Sequence, residues 1–421
     1  MVDMTAVAGT ADFVRAPAEI RRARILGIVY LLLATVVFLF FAVGTEGDVT
    51  FRLGDQPGDL DFTVSAQVLA TFTAVVFAFL GGIQLTKGFG AKTNVVLAIA
   101  IGLFAFSFLG WAAAGKSLSL IGMLGTTVAL AAPIAFGALS GVMCERVGVI
   151  NIGIEGMLLT GAFTGAVVGT VMSPLFGILG AAIAGGLMAL ALAVLAIKYR
   201  VDQIIAGVVI NIFALGLTSF LSSQFLVENA SGLNNPGVLG PIRIPLLAEI
   251  PVLGRILFDQ NIFIYVMYLL VAGMTYGLFK TRWGLQSRAV GEHPKAADTL
   301  GINVFRRRYI NVFLGGLIAG FGGAYFTLGS VGAFNENMTA GRGFIGLAAM
   351  IFGRWHPVGA LGAALVFGFA DSLQVKLGIL DTGIPSEFLL SAPYLVTIIV
   401  VAGVVGKARP PAADGQPYIK E

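Results

Sequence analysis

Residues 288–308 read RAVGEHPKAADTLGINVFRRR and form a polar island between two long apolar runs, Ile262–Phe279 and Tyr309–Leu328. Within the island, Pro294 suits the first position of a helix, and Gly301 suits the position just after its last turn. The sequence therefore predicts one short helix, held between two segments that are long enough to cross a membrane.

The island supports two interpretations. A helix from Pro294 to Leu300 is too short to fold alone, and a small apolar face of Ala297, Leu300 and Ile302 would dock into a partner protein or lie on lipid headgroups. Alternatively, the island is a solvated loop whose arginines only fix the orientation of the neighbouring spans. The residue pattern alone leaves both interpretations open.

The composition places the chain in a lipid bilayer. Its 421 residues are 57% hydrophobic and only 11% charged, with a mean hydropathy of +0.93. A soluble domain carries about 25% charged residues, so this chain could not cover its surface with polar groups in water. Because the apolar runs have the length of membrane helices, we expect an all-α integral membrane protein that folds as a polytopic helical bundle.

The apolar runs give about twelve segments, with both termini on the same side of the membrane. Placing the termini in the cytoplasm leaves only six of the 26 Lys and Arg residues outside, in accord with the positive-inside rule. The segment Gly343–Phe352 is short and could be re-entrant, so we expect about 10–12 transmembrane helices. The Pro- and Asn-rich stretch Gln224–Gln260 is predicted to be the longest external loop.

The chain is predicted to have four parts. Residues 1–24 and 407–421 form cytoplasmic tails, and residues 25–114 form an additional N-terminal transmembrane portion. Residues 115–406 form the main transmembrane domain, which contains the polar loop 281–308.

Four polar residues are candidates to line a path through the bundle: Asn151, Glu155, Gln203 and Asn211. Asn151 suits a helix N-cap with Glu155 in the first turn, and the glycines between them would also allow the broken helix that transporters use in substrate paths. Gln203 and Asn211 share a helix face that should look into the bundle. A purely structural role, as a cap and as interhelical hydrogen bonds, stays open for all four.

The sequence offers no support for catalysis, metal binding or nucleic-acid binding. It has no Walker pattern, so any nucleotide hydrolysis must come from another chain. His293 and His356 fall in separate loops and Cys144 is the single cysteine, so we expect no metal, no cofactor and no catalytic residue. The net charge of +4 is spread between the spans, which is not typical of a nucleic-acid-binding face.

The island resembles the cytoplasmic coupling loop of ABC-importer permeases through the motif Arg288-Ala289-x-Gly291-Glu292-x-Pro294-x-Ala296-Ala297-x-x-x-Gly301-Ile302. A second stretch is similar to the nucleoside branch of these permeases, and it reads Glu145-Arg146-x-Gly148-Val149-Ile150-Asn151-Ile152-Gly153-Ile154-Glu155-Gly156-Met157. The resemblance covers roughly Ser117–Gly406, and the first 115 or so residues look like an added membrane portion.

The resemblance implies a type II-like ABC importer permease in the cytoplasmic membrane of a prokaryote. Its expected partners are ABC ATPase subunits, a second permease that is either a copy or a relative, and an extracytoplasmic solute-binding lipoprotein, which the loop Gln224–Gln260 would face. The implied solute is a nucleoside, followed by simple sugars and then branched-chain amino acids. By the same resemblance, the residues that couple to the ATPase are Arg288, Gly291, Glu292, Pro294, Ala296, Ala297 and Gly301.

Two other classes of protein stay as alternatives. An ion-coupled secondary transporter would need ionisable groups near the bilayer midplane and usually shows internal repeats. An intramembrane enzyme would need a paired nucleophile and base, or metal ligands, within the spans. The sequence has few charges inside its apolar runs and no clear repeat, so both classes are less well supported than an importer permease.

Overall fold

The computed structural model describes residues 17–54, 60–380, 391 and 409–420. These residues divide into two compact units, one holding the residues up to Leu120 together with Leu380, and the other starting at Ile121. The predicted last span, Leu389–Val405, lies outside the described residues.

The first unit contains three long helices and a small sheet. The helices are α1 (Pro17–Val36, continued by a π-helical turn Val37–Ala42), α2 (Ala66–Thr86) and α3 (Thr93–Ala112). The strands are β1 (Asp48–Arg52), β2 (Phe62–Ser65) and β3 (Ser117–Ser119), with β1 antiparallel to β2 and parallel to β3.

The acidic stretch between α1 and α2, residues 44–61, contains the strand β1. In this strand the side chains alternate, and Val49 and Phe51 are fully buried while their neighbours are not. Such alternation over five residues is a strand pattern, but the acidic residues around it concealed it in the sequence.

The second unit is helical, with a two-stranded antiparallel sheet of β4 (Ile242–Arg243) and β5 (Asp259–Gln260). Its helices in chain order are α4 (Leu120–Glu145), α5 (Ile154–Val171), α6 (Pro174–Ala193), α7 (Gln203–Leu221), α8 (Ala230–Leu233), α9 (Leu253–Phe258), α10 (Ile262–Lys280), α11 (Arg282–Glu292), α12 (Pro294–Thr299), α13 (Val304–Phe326), α14 (Arg342–Phe352) and α15 (Pro357–Leu380). π-helical turns extend α6, α7 and α13 to Lys198, Leu226 and Val331.

Within the described residues, ten helices are long and apolar enough to cross a membrane, and each corresponds to one predicted segment. The predicted segment Gly343–Phe352 is α14, which has only 11 residues. A helix of that length is about 16 Å long, roughly half of the hydrocarbon thickness of a bilayer. The chain is thus a predominantly helical, multi-pass bundle with one apolar half-length helix among the described elements.

The centre of the second unit is a close packing of α5, α6 and α13. A Cβ placed on Gly185 of α6 would lie 2.5 Å from the carbonyl oxygen of Gly316 on α13, so the two backbones touch directly. Small residues at helix crossings allow the backbones to approach this closely. Such packing matters in a bilayer because lipid gives no hydrophobic driving force for helices to associate. These three helices adjoin the two irregular regions described next, because α13 begins within the first region and α5 follows the second.

Candidate functional site

The 281–308 segment is mostly helical. Helix α11 begins after Thr281, whose Oγ1 accepts a hydrogen bond from the Gly284 amide at 3.2 Å. Helix α12 begins after His293, whose Nδ1 accepts from the Ala296 amide at 3.3 Å, and it ends before Gly301, which has a φ of +80°. The predicted short helix is therefore present, with its last residue at Thr299 instead of Leu300.

The predicted start of the following span at Tyr309 is five residues late. Helix α13 begins at Val304 because the Asn303 side chain caps it, accepting from the Arg306 amide at 2.9 Å. The triplet Arg306–Arg308 consequently belongs to the first turns of α13 and not to a loop.

The residues of the predicted apolar face of α12 do not all point in the same direction. Ala297 is only 2% exposed and packs, with Ile302, against a buried cluster that includes Val290 and Val304. Leu300 is 80% exposed. It lies beyond the last helical residue and therefore does not follow the helical period. The expectation that Ala297 faces a partner is corrected accordingly, since Ala297 supports α12 from inside.

Gly291, one of the residues expected to couple to the ATPase, lies in the last turn of α11. Its role is a close approach: a Cβ at this position would overlap the carbonyl oxygen of Arg146 and would lie 3.3 Å from the amide nitrogen of Gly148. The backbone of the 281–308 segment thus rests directly on the turn that follows α4.

Two arginines and a histidine surround the ring of Phe279 at this end of the bundle. The guanidinium carbons of Arg288 and Arg146 lie 5.1 and 5.3 Å from the ring centroid, and the imidazole of His356 stacks on the ring at 4.6 Å. Burial and the neighbouring Arg288 lower the pKa of Arg146, and burial and Arg146 lower the pKa of His356. The cluster joins the polar segment to α10 and to the turn after α4, and the charge of Glu292 acts on the pKa of Arg146 in the opposite direction.

A second irregular region separates α4 from α5, and we call residues 146–153 the polar break. Asn151 was predicted to cap α5, but the capping position is Gly153. Because the chain makes a further turn before α5 begins, the Asn151 side chain points back towards α4 and donates to Ser140 Oγ at 3.3 Å. Asn151 is fully buried.

Glu155 holds the half-length helix. Its Oε1 accepts from the Gly341 amide at 2.8 Å, and its Oε2 accepts from the Gly343 amide at 2.6 Å. A carboxylate at this position satisfies two of the backbone donors that every helix N-terminus leaves free, and it complements the dipole of α14. Glu155 is 8% exposed, so this is a buried, charge-assisted connection between α5 and α14.

Gln203 and Asn211 share one face of α7 and both contact the region of the polar break. Gln203 Oε1 accepts from the Ile150 amide at 2.7 Å. Asn211 Oδ1 accepts from the Gly156 amide at 2.8 Å, and its Nδ2 donates to the Ile152 carbonyl at 2.9 Å. The two side chains replace the helical hydrogen bonds that the break removes. All four residues predicted for the path therefore meet at one place and bond to the protein itself.

Sequence reasoning missed the segment Gly332–Gly341, which connects α13 to α14 without regular structure. Asn335, Glu336 and Asn337 are exposed there, although Phe334 packs edge-to-face on Phe163 in the middle of α5. Irregular backbone at membrane depth is tolerated only where it is buried or lines a water-filled cavity. The short length of α14 and the Asn-Glu-Asn run were the available signals.

An ion pair lies beside this segment. Arg342 Nη2 and Asp371 Oδ2 are 3.5 Å apart, with the two side chains 26% and 14% exposed, and the Arg342 guanidinium lies 6.0 Å from the ring centroid of Phe326. In the part of the chain that the structure describes, no group of three or more His, Cys, Asp or Glu residues is placed to hold a metal ion.

This multi-pass helical bundle, with its break between α4 and α5, its half-length helix α14 and its short helix α12, has the architecture of a membrane permease. The chain belongs to the family described as branched-chain amino acid transport system, permease component, whose model matches residues 123–405. It is therefore a transport subunit and not an enzyme, and ATP hydrolysis belongs to a separate subunit.

Two curated relatives are similar to this chain over more than nine tenths of their length, and a third over about three quarters. The guanosine ABC transporter permease protein NupQ of Bacillus subtilis is 43% identical over 304 residues, which cover 70% of this chain and 95% of the relative. The nucleoside ABC transporter permease protein NupC of Lactococcus lactis is 43% identical over 298 residues, covering 68% and 93%. The glucose ABC transporter permease protein TsgB13 of Haloferax volcanii is 28% identical over 291 residues, covering 64% and 74%. No solved structure matches this chain.

Proposed function

We propose that this chain is the permease subunit of an ATP-driven importer that carries a nucleoside across the cytoplasmic membrane of a prokaryote. The observation that carries the proposal is the 43% identity, over more than nine tenths of each relative, to two permeases named for guanosine and nucleosides. A simple sugar is the second candidate, because the glucose permease is also similar at lower identity.

The 281–308 segment is the element that receives the ATPase. In support, the exposed Leu300 directly follows α12, and contacts within the chain hold α12 in place. Ala297 is buried beneath the helix, and Gly291 of α11 packs on the backbone of Arg146. An apolar anchor on a pre-organised helix is what a groove in a partner protein recognises. Arg288, Glu292, Pro294, Ala296 and Gly301 then shape and orient this contact.

The solute path follows the irregular segment Gly332–Gly341 and the ion pair of Arg342 with Asp371. An ion pair inside a membrane helix and exposed polar residues at the same depth are costly in lipid, so they should face a water-filled path. Four polar residues act on this path indirectly, through their bonds to the protein: Asn151, Glu155, Gln203 and Asn211. They fix the polar break and the start of α14, and so position the groups that meet the solute.

The transporter contains a second permease, and a relative is favoured over a copy. Bacillus subtilis has two guanosine ABC transporter permease proteins, NupQ and NupP, which are 43% and 27% identical to this chain. The loop Gln224–Gln260 faces the solute-binding lipoprotein outside, and the short β4–β5 sheet within it supports this assignment. Both termini lie in the cytoplasm, in accord with the distribution of Lys and Arg.

Uptake in a deletion strain tests the proposed function. Cells that lack the gene should lose uptake of a labelled purine nucleoside and regain it when the gene returns on a plasmid. A hundredfold excess of unlabelled nucleoside should compete, whereas glucose and ribose should not. Competition by a sugar and not by nucleosides would transfer the assignment to sugars. Uptake that persists in the presence of vanadate but collapses with an ionophore would instead indicate an ion-coupled transporter.

A further inference from the structure

Residues 409–420, predicted to be a polar tail, pack onto the 281–308 segment, and we call them the latch segment. The amide of Ala413 donates to the carbonyl oxygen of Gly291 at 2.9 Å. The amide of Ala412 donates to Glu292 Oε2 at 3.2 Å. The latch segment thus binds the last turn of α11 beside the turn that follows α4, since a Cβ on Gly148 would lie 2.8 Å from the carbonyl oxygen of Ala413.

A buried arginine joins the latch segment to the polar break. Arg308, in the first turns of α13, is only 1% exposed. Its Nη1 donates to the carbonyl oxygen of Gln416 at 3.0 Å, and its Nε donates to that of Val147 at 3.1 Å. The planar guanidinium therefore bonds to both stretches of backbone at once with a fixed geometry, which the single point charge of a lysine would not do.

The outer half of the latch segment is anchored by an aromatic ring. Tyr418 is 6% exposed, its ring centroid lies 5.3 Å from that of Phe305, and it belongs to the same buried cluster as Val147 and Ala297. Two residues further on, Lys420 Nζ lies 3.5 Å from Asp298 Oδ1 on α12. One short stretch consequently contacts α11, α12, α13 and the polar break.

The fourth contact brings the carboxyl group of Asp414 in the latch segment close to that of Glu145 at the end of α4. Two carboxyl groups buried side by side repel each other unless one of them holds a proton. The Trp355 indole donates to the same Glu145 at 2.5 Å. The Arg308 charge lies close enough to Asp414 to stabilise the remaining negative charge.

We propose that the latch segment fastens the 281–308 segment to the polar break, so that movement of α12 under the ATPase reaches the start of α5 and the solute path. This inference rests on the proposed docking of the ATPase on α12. Without the latch segment, the 281–308 segment still meets the polar break through the contact of Gly291 with Arg146, the packing of Arg288 and Arg146 on Phe279, and the bond from Arg308 to Val147. With the latch segment in place, Arg308 also bonds to the carbonyl oxygen of Gln416, and the ring of Tyr418 packs on Phe305.

The test uses the whole transporter, purified with its ATPase and second permease and reconstituted with the binding protein in liposomes. Tyr418→Ala removes the anchoring ring, and Tyr418→Phe is the matched control that retains it. For Tyr418→Ala we expect normal ATPase co-purification and at least a tenfold increase in ATP hydrolysed per nucleoside imported. For Tyr418→Phe this ratio should stay within twofold of the wild type. A second variant that stops before Arg409 should match Tyr418→Ala.

Each other outcome overturns the inference. An unchanged ratio in both Tyr418→Ala and the truncated variant would mean that the latch segment carries no coupling. Loss of the bound ATPase together with transport would assign the segment to the docking surface. A variant that fails to accumulate is replaced by Asp414→Ala, judged on the same ratio. Failure of the docking proposal itself is separate, because it would appear as ATPase binding that does not depend on Leu300.

Discussion

The 281–308 segment and the polar break both interrupt the helices of an apolar chain, but they satisfy their backbone groups in different ways. In the 281–308 segment each helix start is capped from its immediate neighbourhood, by Thr281, His293 and Asn303, each of which accepts from an amide three residues further on. At the polar break the partners come from far along the chain. Ile150 bonds to Gln203, 53 residues away, and Glu155 bonds to Gly341, 186 residues away.

The helices of the 281–308 segment are therefore capped by their own neighbours, whereas the polar break depends on the surrounding bundle for its hydrogen bonds. A segment capped by its own residues keeps its shape when it moves as a unit, which suits an element that a partner displaces. A break held by three other helices changes its hydrogen bonds when any of those helices moves. A transporter needs both kinds of region, because a segment that moves as a unit has to act on a solute path whose hydrogen bonds can rearrange.

The largest expected effect separates the two faces of α12. Ala297→Glu places a charge in the buried cluster beneath the helix, and we expect a loss of about 3 kcal/mol or more of stability, with little permease left in the membrane. Ala296→Glu is the matched control, because Ala296 is the exposed neighbour on the same helix. Its permease should accumulate normally, as measured by immunoblot and by the melting temperature in detergent. Equal levels of the two variants would contradict the placement of Ala297.

The next effect probes the dependence of the polar break on α7. Asn211→Leu leaves the Gly156 amide and the Ile152 carbonyl without their partner, at a cost of about 1–3 kcal/mol for each group. We expect a lower melting temperature and the loss of most nucleoside uptake, with ATPase co-purification retained. Ser219→Ala, about two turns further along α7, should behave as the wild type. A fully active Asn211→Leu variant would show that the break does not need this support.

A smaller effect is expected at Glu155, where Gln keeps the shape and one acceptor but removes the charge. Because charge-assisted hydrogen bonds are about twice as strong as neutral ones, Glu155→Gln should weaken the cap of α14 and lower the maximal uptake rate several-fold. The KM for the nucleoside should stay within about twofold, since Glu155 acts through α14. A large rise in KM with an unchanged maximal rate would instead indicate direct contact with the solute.

The smallest effect is a pH dependence of the latch segment. Burial raises the pKa of Asp414 from an ordinary value of 3.8 to about 6, beside Glu145 and Arg308. The docked segment binds a proton more tightly than the free one. Its stabilisation is therefore complete below about pH 4 and is lost as the pH rises through about 6. Maleimide labelling of Lys420→Cys, relative to the double variant with Asp414→Asn, should speed up from about pH 5 to pH 7. A constant ratio would contradict this coupling.

The predictability of each region follows from the same comparison. The helix from Pro294, its end before Gly301 and the ten long spans depend on local propensity and hydropathy, and these predictions are confirmed. The convergence of Asn151, Glu155, Gln203 and Asn211 on one break was indicated only by their polarity, because their partners are set by tertiary packing. The inward position of Ala297 and the docking of residues 409–420 depend on contacts between distant segments, for which a single sequence gives no signal.

The proposed role of α12 is tested most directly by Leu300→Glu. Leu300 is 80% exposed, so its replacement should change the stability of the permease by no more than about 0.5 kcal/mol. The measurement is the amount of ATPase that co-purifies with the permease from membranes, with Leu285→Glu as the control, since Leu285 is an exposed leucine on α11. We predict a normal level of permease, at least a tenfold loss of bound ATPase for Leu300→Glu, and no loss for Leu285→Glu. Full ATPase binding and full nucleoside uptake by Leu300→Glu would contradict the account.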